Sequence, residues 1–440
     1  MRNIKTFAII ATAVFAGFFS ALSFSQIDIK PIKFDDKKVN EDQSAFLSEI
    51  MNRVKKDYVD EKTDHDLAEA AASGILSSLD PHSSYMNPDA LKEIQVQTKG
   101  EFGGVGIEIT VEMSVVKVIS AIEGTPAFKA GVKGGDYITK VNAENVVGLS
   151  IEEVVKKLRG KPGTGVKITV LRKGEKAPLE ISLIRQIIKV KAVRSAQFKD
   201  VAYIKINTFS EQAYSGLETE LKKLKEKIGE KNLKGLVLDL RNNPGGLLDQ
   251  AVQISDAFLA KDKVIVSIKG RSTKEKEYRD EADEKLVPGL PIVVLINEGS
   301  ASASEIVAGA LQDNSRAIVM GIKSFGKGSV QTVIPLEKNR GALRLTTSLY
   351  YTPSGKSIQA HGIEPNVEVT DAKIEKTNKL DRDSEADLKG HIEVQLQQAI
   401  EDAKKEKVGD DNLDLYSSDY QLARAIDLVR GVSIYQLKTK

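Results

Sequence analysis

The sequence predicts an α/β core with a partly parallel sheet, interrupted by an inserted β-rich module and flanked by helical segments at both ends. Three observations predict it. From Val201 to Met320, apolar β-runs alternate with stretches of helical periodicity, the pattern of strands joined by crossover helices. From Lys99 to Ile188, short β-runs follow one another with a single helix among them. At the two ends, apolar residues recur at helical spacing, first over Phe46, Ile50, Val54, Leu67, Ala71, Ile75 and Leu79, then over Ile392 to Ile400 and Tyr420 to Val432.

At 440 residues the chain is long enough for two to four domains, and 41% hydrophobic residues suffice for real cores. Sixty-four basic against 62 acidic residues leave a net charge of +2, so nothing in the balance argues for a nucleic-acid or other anionic partner. The absence of cysteine excludes a thiol nucleophile, disulfides and cysteine-ligated metals.

The N-terminus points to export. Arg2 and Lys5 precede the uncharged apolar run Thr6 to Phe24, with small residues at Ala21-Leu22-Ser23. Residues 1–25 therefore read as a secretory signal peptide or membrane anchor, carrying the chain across the bacterial inner membrane to a periplasmic location, soluble or anchored. Residues 26–40 form a charged linker. Residues 41–97 form a helical region whose helices separate near Asp60-Glu61-Lys62 and stop at Asp80-Pro81; His82 reads as a satisfied turn residue rather than a catalytic one.

Residues 98–188 form the β-rich module. Gly104-Val105-Gly106-Ile107 opens its first long strand, and glycines there let backbone N–H groups turn into a nest that suits a carboxylate, beside a strand edge able to pair with an extended peptide. A dinucleotide site is a poor fit, because no third glycine or β-α-β unit follows.

The core occupies residues 189–370. The strand Val201 to Ile206, the helix Ser210 to Ile228 and the buried strand Gly235 to Leu240 lead into the turn Asn243-Pro244-Gly245-Gly246 and a helix from Leu247 to Leu259. The strand Pro291 to Ile296 ends in a turn of small residues, and a helix pattern starts at once, which puts Ser302 at a strand-to-helix corner. Helix-start N–H groups lack intrahelical partners and carry the positive end of the dipole, so a hydroxyl there can attack a carbonyl whose oxyanion finds donors nearby. Gly245, Gly246 and the N–H of Ala303 are the candidate oxyanion donors. On its own a small-residue corner with three serines is more often a plain N-cap, and a plain tight turn explains Asn243 to Gly246 just as well.

A serine nucleophile needs a base. Lys327 lies in the loop Ser324 to Gly328 after the apolar run Arg316 to Met320, where burial would lower its pKa. Even spacing on the following strand, Ser329 to Leu336, puts Lys327, Ser329 and Gln331 on one face, so the Gln331 amide can orient the amine. Gly321 to Gly328 nearly matches a phosphate-binding loop, but Gly328 stands where a hydroxyl is needed and a strand follows rather than a helix. The strand Arg344 to Tyr351 offers a place for substrate backbone, and His361, in a Gly-flanked loop, invites a Ser-His-Asp alternative. Residues 371–387 read as a charged linker and 388–440 as a C-terminal helical region expected to pack on the N-terminal helices.

Four ordered motifs carry a resemblance. SASASEI with Lys327 in FGKGSVQ, 25 residues after Ser302, LDPHSSYM at Leu79 to Met86, LDLRNNPGGLL at Leu238 to Leu248 and the module between the last two together resemble the C-terminal processing peptidases, or tail-specific proteases, from about residue 40 to the final helix. The module, with Gly124-Thr125-Pro126-Ala127 and Gly134-Gly135-Asp136-Tyr137-Ile138, resembles a PDZ domain. The resemblance implies a crotonase/ClpP-like α/β protease core and a Ser302–Lys327 dyad that cleaves through an acyl-enzyme without metal or cofactor. It also implies recognition of protein or peptide C-termini, regulation or delivery by the PDZ domain, homo-oligomer contacts through the terminal helices and an adaptor protein. Arg159, at the end of the module's helix, is the candidate for coupling module to core. Two rivals stay open at this level: a non-catalytic PDZ scaffold for C-terminal tails, and a nucleotide-dependent enzyme using the near-miss loop.

Overall fold

The computed structural model describes residues 41–112, 114–271, 275–281, 285–372 and 419–438. The expected signal peptide or anchor, the 26–40 linker, nearly all of the charged linker and the helix expected at 392–400 lie outside the described residues. Among the described residues no helix is long and apolar enough to cross a membrane.

Two helices begin the described chain, α1 (Glu41–Asp57) and α2 (Asp64–Ser77). Thr63 caps α2, accepting from the Asp66 N–H at 3.1 Å while Asp66 accepts from the Thr63 N–H at 3.2 Å. Phe46, Leu47, Ile50 and Ile75 on this pair, and Leu79 just after it, are exposed. A turn at Asp80 leads to the short strand β1 (Ser84–Met86) and to α3 (Pro88–Lys99), capped by Asn87 and closed by Gly100 in the left-handed region.

The inserted module hangs from a two-stranded ribbon formed by β2 (Glu101–Gly104) and β9 (Gln186–Lys189), which pair antiparallel from Glu101↔Lys189 to Gly104↔Gln186. Between them run β3 (Ile107–Glu112), β4 (Val115–Ala121), the turn of helix α4 (Pro126–Lys129), β5 (Tyr137–Val141), β6 (Glu144–Asn145), α5 (Ile151–Leu158), β7 (Gly165–Leu171) and β8 (Leu179–Ile184). The main sheet order is β3-β4-β5-β7-β8, with β3 at an edge. Alternation decides its core: Val116 and Val118, Val166, Ile168 and Val170 face inward with Val154 and Leu158 of α5.

The core sheet has the order β10-β11-β12-β15-β16-β19, from β10 (Val193–Phe198), β11 (Val201–Ile206), β12 (Gly235–Asp239), β15 (Ile292–Ile296), β16 (Ile318–Gly321) and β19 (Val367–Glu368). Only the β10–β11 pair is antiparallel; the others run parallel. Helices α6 (Ala213–Ile228), α7 (Leu248–Asp256) and α8 (Ala303–Asp313) pack on one face through Leu217, Leu221, Ile254 and Val307 against Ile204, Leu236, Leu238 and Val294. The other face carries the C-terminal helix α9 (Tyr420–Lys438), whose Leu422, Ala425, Ile426 and Val429 meet Val201, Tyr203, Val237, Val293 and Leu295. Cover on both faces is why β12 and β15 are buried throughout and read as continuous apolar runs.

This placement corrects one expectation: α9 packs on the core sheet, not on the N-terminal helices. An ion cluster locks it there, with the Arg241 guanidinium gripping Asp239 and Asp419 at 2.8 and 2.7 Å and donating to Gln421 at 2.9 Å.

A second, antiparallel sheet centres on β18 (Ala342–Tyr351). Strand β17 (Ser329–Pro335) pairs along one edge; β1 and β13 (Val264–Gly270) share the other, and β14 (Lys276–Arg279) lies beyond β13. Strand β18 therefore has partners on both sides, which leaves little of the Arg344 to Tyr351 backbone for the substrate expected to lie there.

Candidate active site

The turn after β15 is built around Asn297, whose Oδ1 accepts the N–H groups of Asn242 at 2.8 Å and Gly299 at 3.1 Å. Ser300 Oγ donates to the Leu240 carbonyl at 2.8 Å. The Ala301 N–H and the Ser304 hydroxyl both donate to the Asn243 carbonyl, at 3.0 and 2.8 Å. The corner that holds Ser302 is thereby stitched to the Arg241–Gly246 turn off the neighbouring parallel strand, at the carboxyl ends where sites in such sheets lie. Ser302 is fully buried, with φ 56° and ψ −112°. That backbone conformation lies outside the populated left-handed basin and costs about 1–3 kcal/mol, a strain typical of functional corners.

Glu305, at the third position of α8 and fully buried, organises the site. Its Oε2 accepts the N–H groups of both Ser302, at 2.7 Å, and Lys327, at 2.9 Å. Its Oε1 accepts from Ser324 Oγ at 2.6 Å and the Gly326 N–H at 2.7 Å. One carboxylate oxygen thus holds the backbones of the serine corner and the lysine loop together. Burial pushes this carboxyl upward, against the pull of its four donors.

Lys327 is 1% exposed. Burial, and then the Arg344 guanidinium, lower its pKa to about 7, while Glu305 and Asp80 pull the other way. Its loop runs into the strand β17 rather than a helix, which removes the structural context a phosphate loop needs. Gln331 is equally buried; its Nε2 donates to Ser329 Oγ at 2.9 Å and to Thr346 Oγ1 at 3.3 Å, and its Oε1 is a buried acceptor with no partner among the described residues. Tyr350, also fully buried, donates its hydroxyl to the Lys327 carbonyl and hydrogen-bonds Ser302.

The proposed oxyanion donors fare unequally. The Gly245 N–H is already held by Asn243 Oδ1 at 2.9 Å, so of the two glycines Gly246 is the one left to face an oxyanion. Ala303 follows Ser302 at the first helical position. In the module, Gly104 ends β2, Gly106 takes φ 81° and Ile107 opens the edge strand β3; the Val105 and Gly106 carbonyls accept from Ala127 and Ile122 at 2.9 Å each. A Cβ on Gly106 would meet Thr125 at 2.3 Å, so only glycine fits this loop. Arg159 caps α5 and lies over the Phe102 ring of the ribbon, 4.4 Å from its centroid, with Glu93 of α3 in electrostatic reach. It therefore touches the ribbon and faces the N-terminal region rather than Ser302. His361 is exposed, and among the described residues only its backbone is hydrogen-bonded.

Sequence reasoning missed Glu305, Tyr350, Thr346, Arg344 and the Asp80 turn. Glu305 had a signal, since Ser302-Ala303-Ser304-Glu305 is a capping-box pattern. His82 also differs from expectation: its Nδ1 is buried without a hydrogen-bond partner among the described residues, and burial followed by the charge of Lys327 lowers its pKa.

The chain is similar to known proteins over most of its length. The model for peptidase family S41 matches residues 200–369, and a PDZ domain model matches residues 103–183. The chain is 47% identical over 390 residues, 88% of each chain, to the carboxy-terminal-processing protease of Bartonella bacilliformis. It is 38% identical to a Staphylococcus aureus protein described as "Probable CtpA-like serine protease", over 77% of this chain and 68% of that one. Among solved structures, the photosystem II D1 C-terminal processing protease matches at 28% identity and a TM-score of 0.45, over 73% of this chain and 86% of that one.

Proposed function

The chain belongs to peptidase family S41 as a carboxy-terminal-processing serine protease with a PDZ domain, and from that premise we propose that Ser302 and Lys327 are its nucleophile and base. The observation that carries the reading is the shared anchor: Glu305 Oε2 accepts from both residues, beside a lysine whose pKa of about 7 lets it serve as a base near neutrality. Neutral Lys327 takes the Ser302 proton as the oxygen attacks the scissile carbonyl. The N–H groups of Gly246 and Ala303 receive the oxyanion, a pair in which each donor is worth roughly 3 kcal/mol. Lys327 then protonates the leaving amine, and water resolves the acyl-enzyme. The Gln331 carbonyl takes no hydrogen bond from the amine in this arrangement, and in this reading it is the acceptor that orients the ammonium once the site opens.

The substrate in this reading is a protein or peptide C-terminus, its carboxylate in the Gly104–Ile107 nest and its backbone along the open edge of β3. Ser302 and Lys327 are both closed to solvent, so we read the arrangement as a resting form that a bound tail opens, with Arg159 on the ribbon conveying the movement. We place the enzyme in the periplasm on the strength of its apolar N-terminal run, and assign the exposed apolar face of α1 and α2 to a second copy of the chain.

Cleavage of an unstructured protein with an apolar C-terminus tests the proposal, with wild type compared against Ser302→Ala, Lys327→Ala and a deletion of residues 99–188. Loss of hydrolysis in both point variants, with folding intact, is the expected result. Undiminished cleavage by Lys327→Ala would remove the dyad and return attention to His361.

A further inference from the structure

The N-terminal helical region reaches the site through one turn. Strand β1 pairs with β18 at Ser84↔Arg344 and Met86↔Ala342, which sets the preceding residues, Asp80 to Ser83, beside Thr346. Thr346 stands directly opposite Gln331 in the β17–β18 ladder. Asp80 Oδ1 accepts from Thr346 Oγ1 at 3.1 Å and from the N–H groups of His82 and Ser83 at 2.8 and 2.9 Å. Its Oδ2 accepts from Ser83 Oγ at 2.6 Å, and Ser83 Oγ in turn accepts the Thr346 N–H at 3.1 Å. Arg344 Nε donates to the His82 carbonyl at 2.9 Å and closes the turn onto β18.

We propose that this turn belongs to the catalytic apparatus, with Asp80 acting through Thr346 as the positioning residue that fixes which way the Gln331 amide faces. A threonine hydroxyl has one proton. An ionised carboxylate only accepts, so Thr346 must give its proton to Asp80, and its oxygen is then left to accept from Gln331 Nε2. The amide N–H₂ therefore points at Thr346 and Ser329, and the carbonyl oxygen Oε1 is turned into the buried interior as an acceptor. Without the carboxylate, the hydroxyl can donate to Gln331 as readily as accept, and the amide loses its enforced orientation. Burial pushes the Asp80 carboxyl up, but the Ser83, His82 and Thr346 donors outweigh it and keep the group ionised at neutral pH. The charges facing Lys327 from the packed elements are Arg344 on β18, Glu305 on α8 and Asp80 on the turn, with His82 beside Asp80.

This inference rests on the reading that Gln331 orients Lys327, and a double-mutant cycle on the full chain separates the two. The readouts are kcat and KM on a peptide substrate and the pH profile of kcat/KM for Thr346→Val, Gln331→Ala and the pair, with Thr346→Ser and Asp80→Asn alongside. Thr346→Val is expected to lower kcat roughly tenfold or more with KM little changed, as misplacement of a positioning group does. Thr346→Ser restores most of the loss, and the double variant is no slower than Gln331→Ala alone. Asp80→Asn moves the acid limb of the profile to lower pH, since it removes a carboxylate that favours the protonated amine; a purely structural turn would lower activity at every pH alike. Wild-type kcat in Gln331→Ala overturns the role of Gln331 itself. An impaired Gln331→Ala beside an unimpaired Thr346→Val, or an undiminished Thr346→Val loss in the Gln331→Ala background, overturns the Asp80 relay alone. Should the valine variant not fold, Asp80→Asn takes its place in the cycle.

Discussion

Replacing Lys327 with Met separates the catalytic role proposed for the lysine from what its burial costs the fold. Its ordinary pKa is 10.5, and in the folded chain it falls to about 7 because the amine is buried beside Arg344. Every tenfold change in proton affinity is worth about 1.4 kcal/mol, so holding the protonated amine inside costs about 5 kcal/mol. The sign follows from proton counts. Below pH 7 both folded and unfolded chains carry the proton, and the full penalty stands. Between about 7 and 10.5 the unfolded chain binds more protons than the folded one, so stability rises with pH; above 10.5 the penalty is gone. Methionine has similar length and no charge, and lacks the penalty at every pH. With the two side chains otherwise taken as equal, Lys327→Met is expected to exceed wild type by about 5 kcal/mol at pH 6, about 3 kcal/mol at pH 8 and about 1 kcal/mol at pH 10. Urea unfolding at pH 6, 8 and 10 reads this directly, followed by tyrosine fluorescence because the chain has no tryptophan. Hydrolysis should vanish in the same variant. A gap that stays constant from pH 6 to 10 would show that the lysine is not depressed, and the physical basis for its role as base would go with it.

The same depression predicts that kcat/KM rises as pH passes through about 7, and that Arg344→Met, by removing a neighbouring positive charge, moves that limb to higher pH; a limb that stays put would detach Arg344 from Lys327. Glu305→Gln puts an amide N–H₂ against donors that need an acceptor, and should cost about 1–3 kcal/mol in unfolding free energy together with a loss in kcat, whereas unaltered kcat would show that the shared anchor does not hold the dyad. Gly106→Ala drives a Cβ into Thr125 at a φ of 81°, so binding of a fluorescent C-terminal peptide, followed by anisotropy, should weaken at least tenfold, and intact binding would remove the nest from the recognition site.

What the sequence disclosed was what local chemistry determines. Strands β12 and β15 were legible because both of their faces are covered, which leaves uninterrupted apolar runs. The serine corner was legible as a strand-to-helix turn, and its use became legible only in company, with Lys327 in FGKGSVQ 25 residues on and the Asn243 to Gly246 turn before it. Strand β1 was not, because its three residues find their partner more than 250 positions away, and no local pattern encodes that pairing. Tyr350 reads as one more apolar strand residue until the fold points its hydroxyl at the lysine loop. The side of the core taken by α9 depended on Asp419 reaching Arg241, again a distant contact. Gly245 misled for the opposite reason: a neighbour two residues away, Asn243, satisfies the N–H that the turn alone made look available.

The ribbon of β2 and β9 gives the PDZ domain the character of a detachable part. Its entry and exit run side by side for four residue pairs, and just beyond them the Val190 N–H donates to the Gly100 carbonyl at 2.9 Å. The ends that an excision would leave are thus already neighbours, within reach of a loop of two or three residues. Nothing in the core sheet needs the chain to make its long excursion. A lineage can exchange the recognition domain, or a laboratory can substitute another, while the strand order around Ser302 stays as it is.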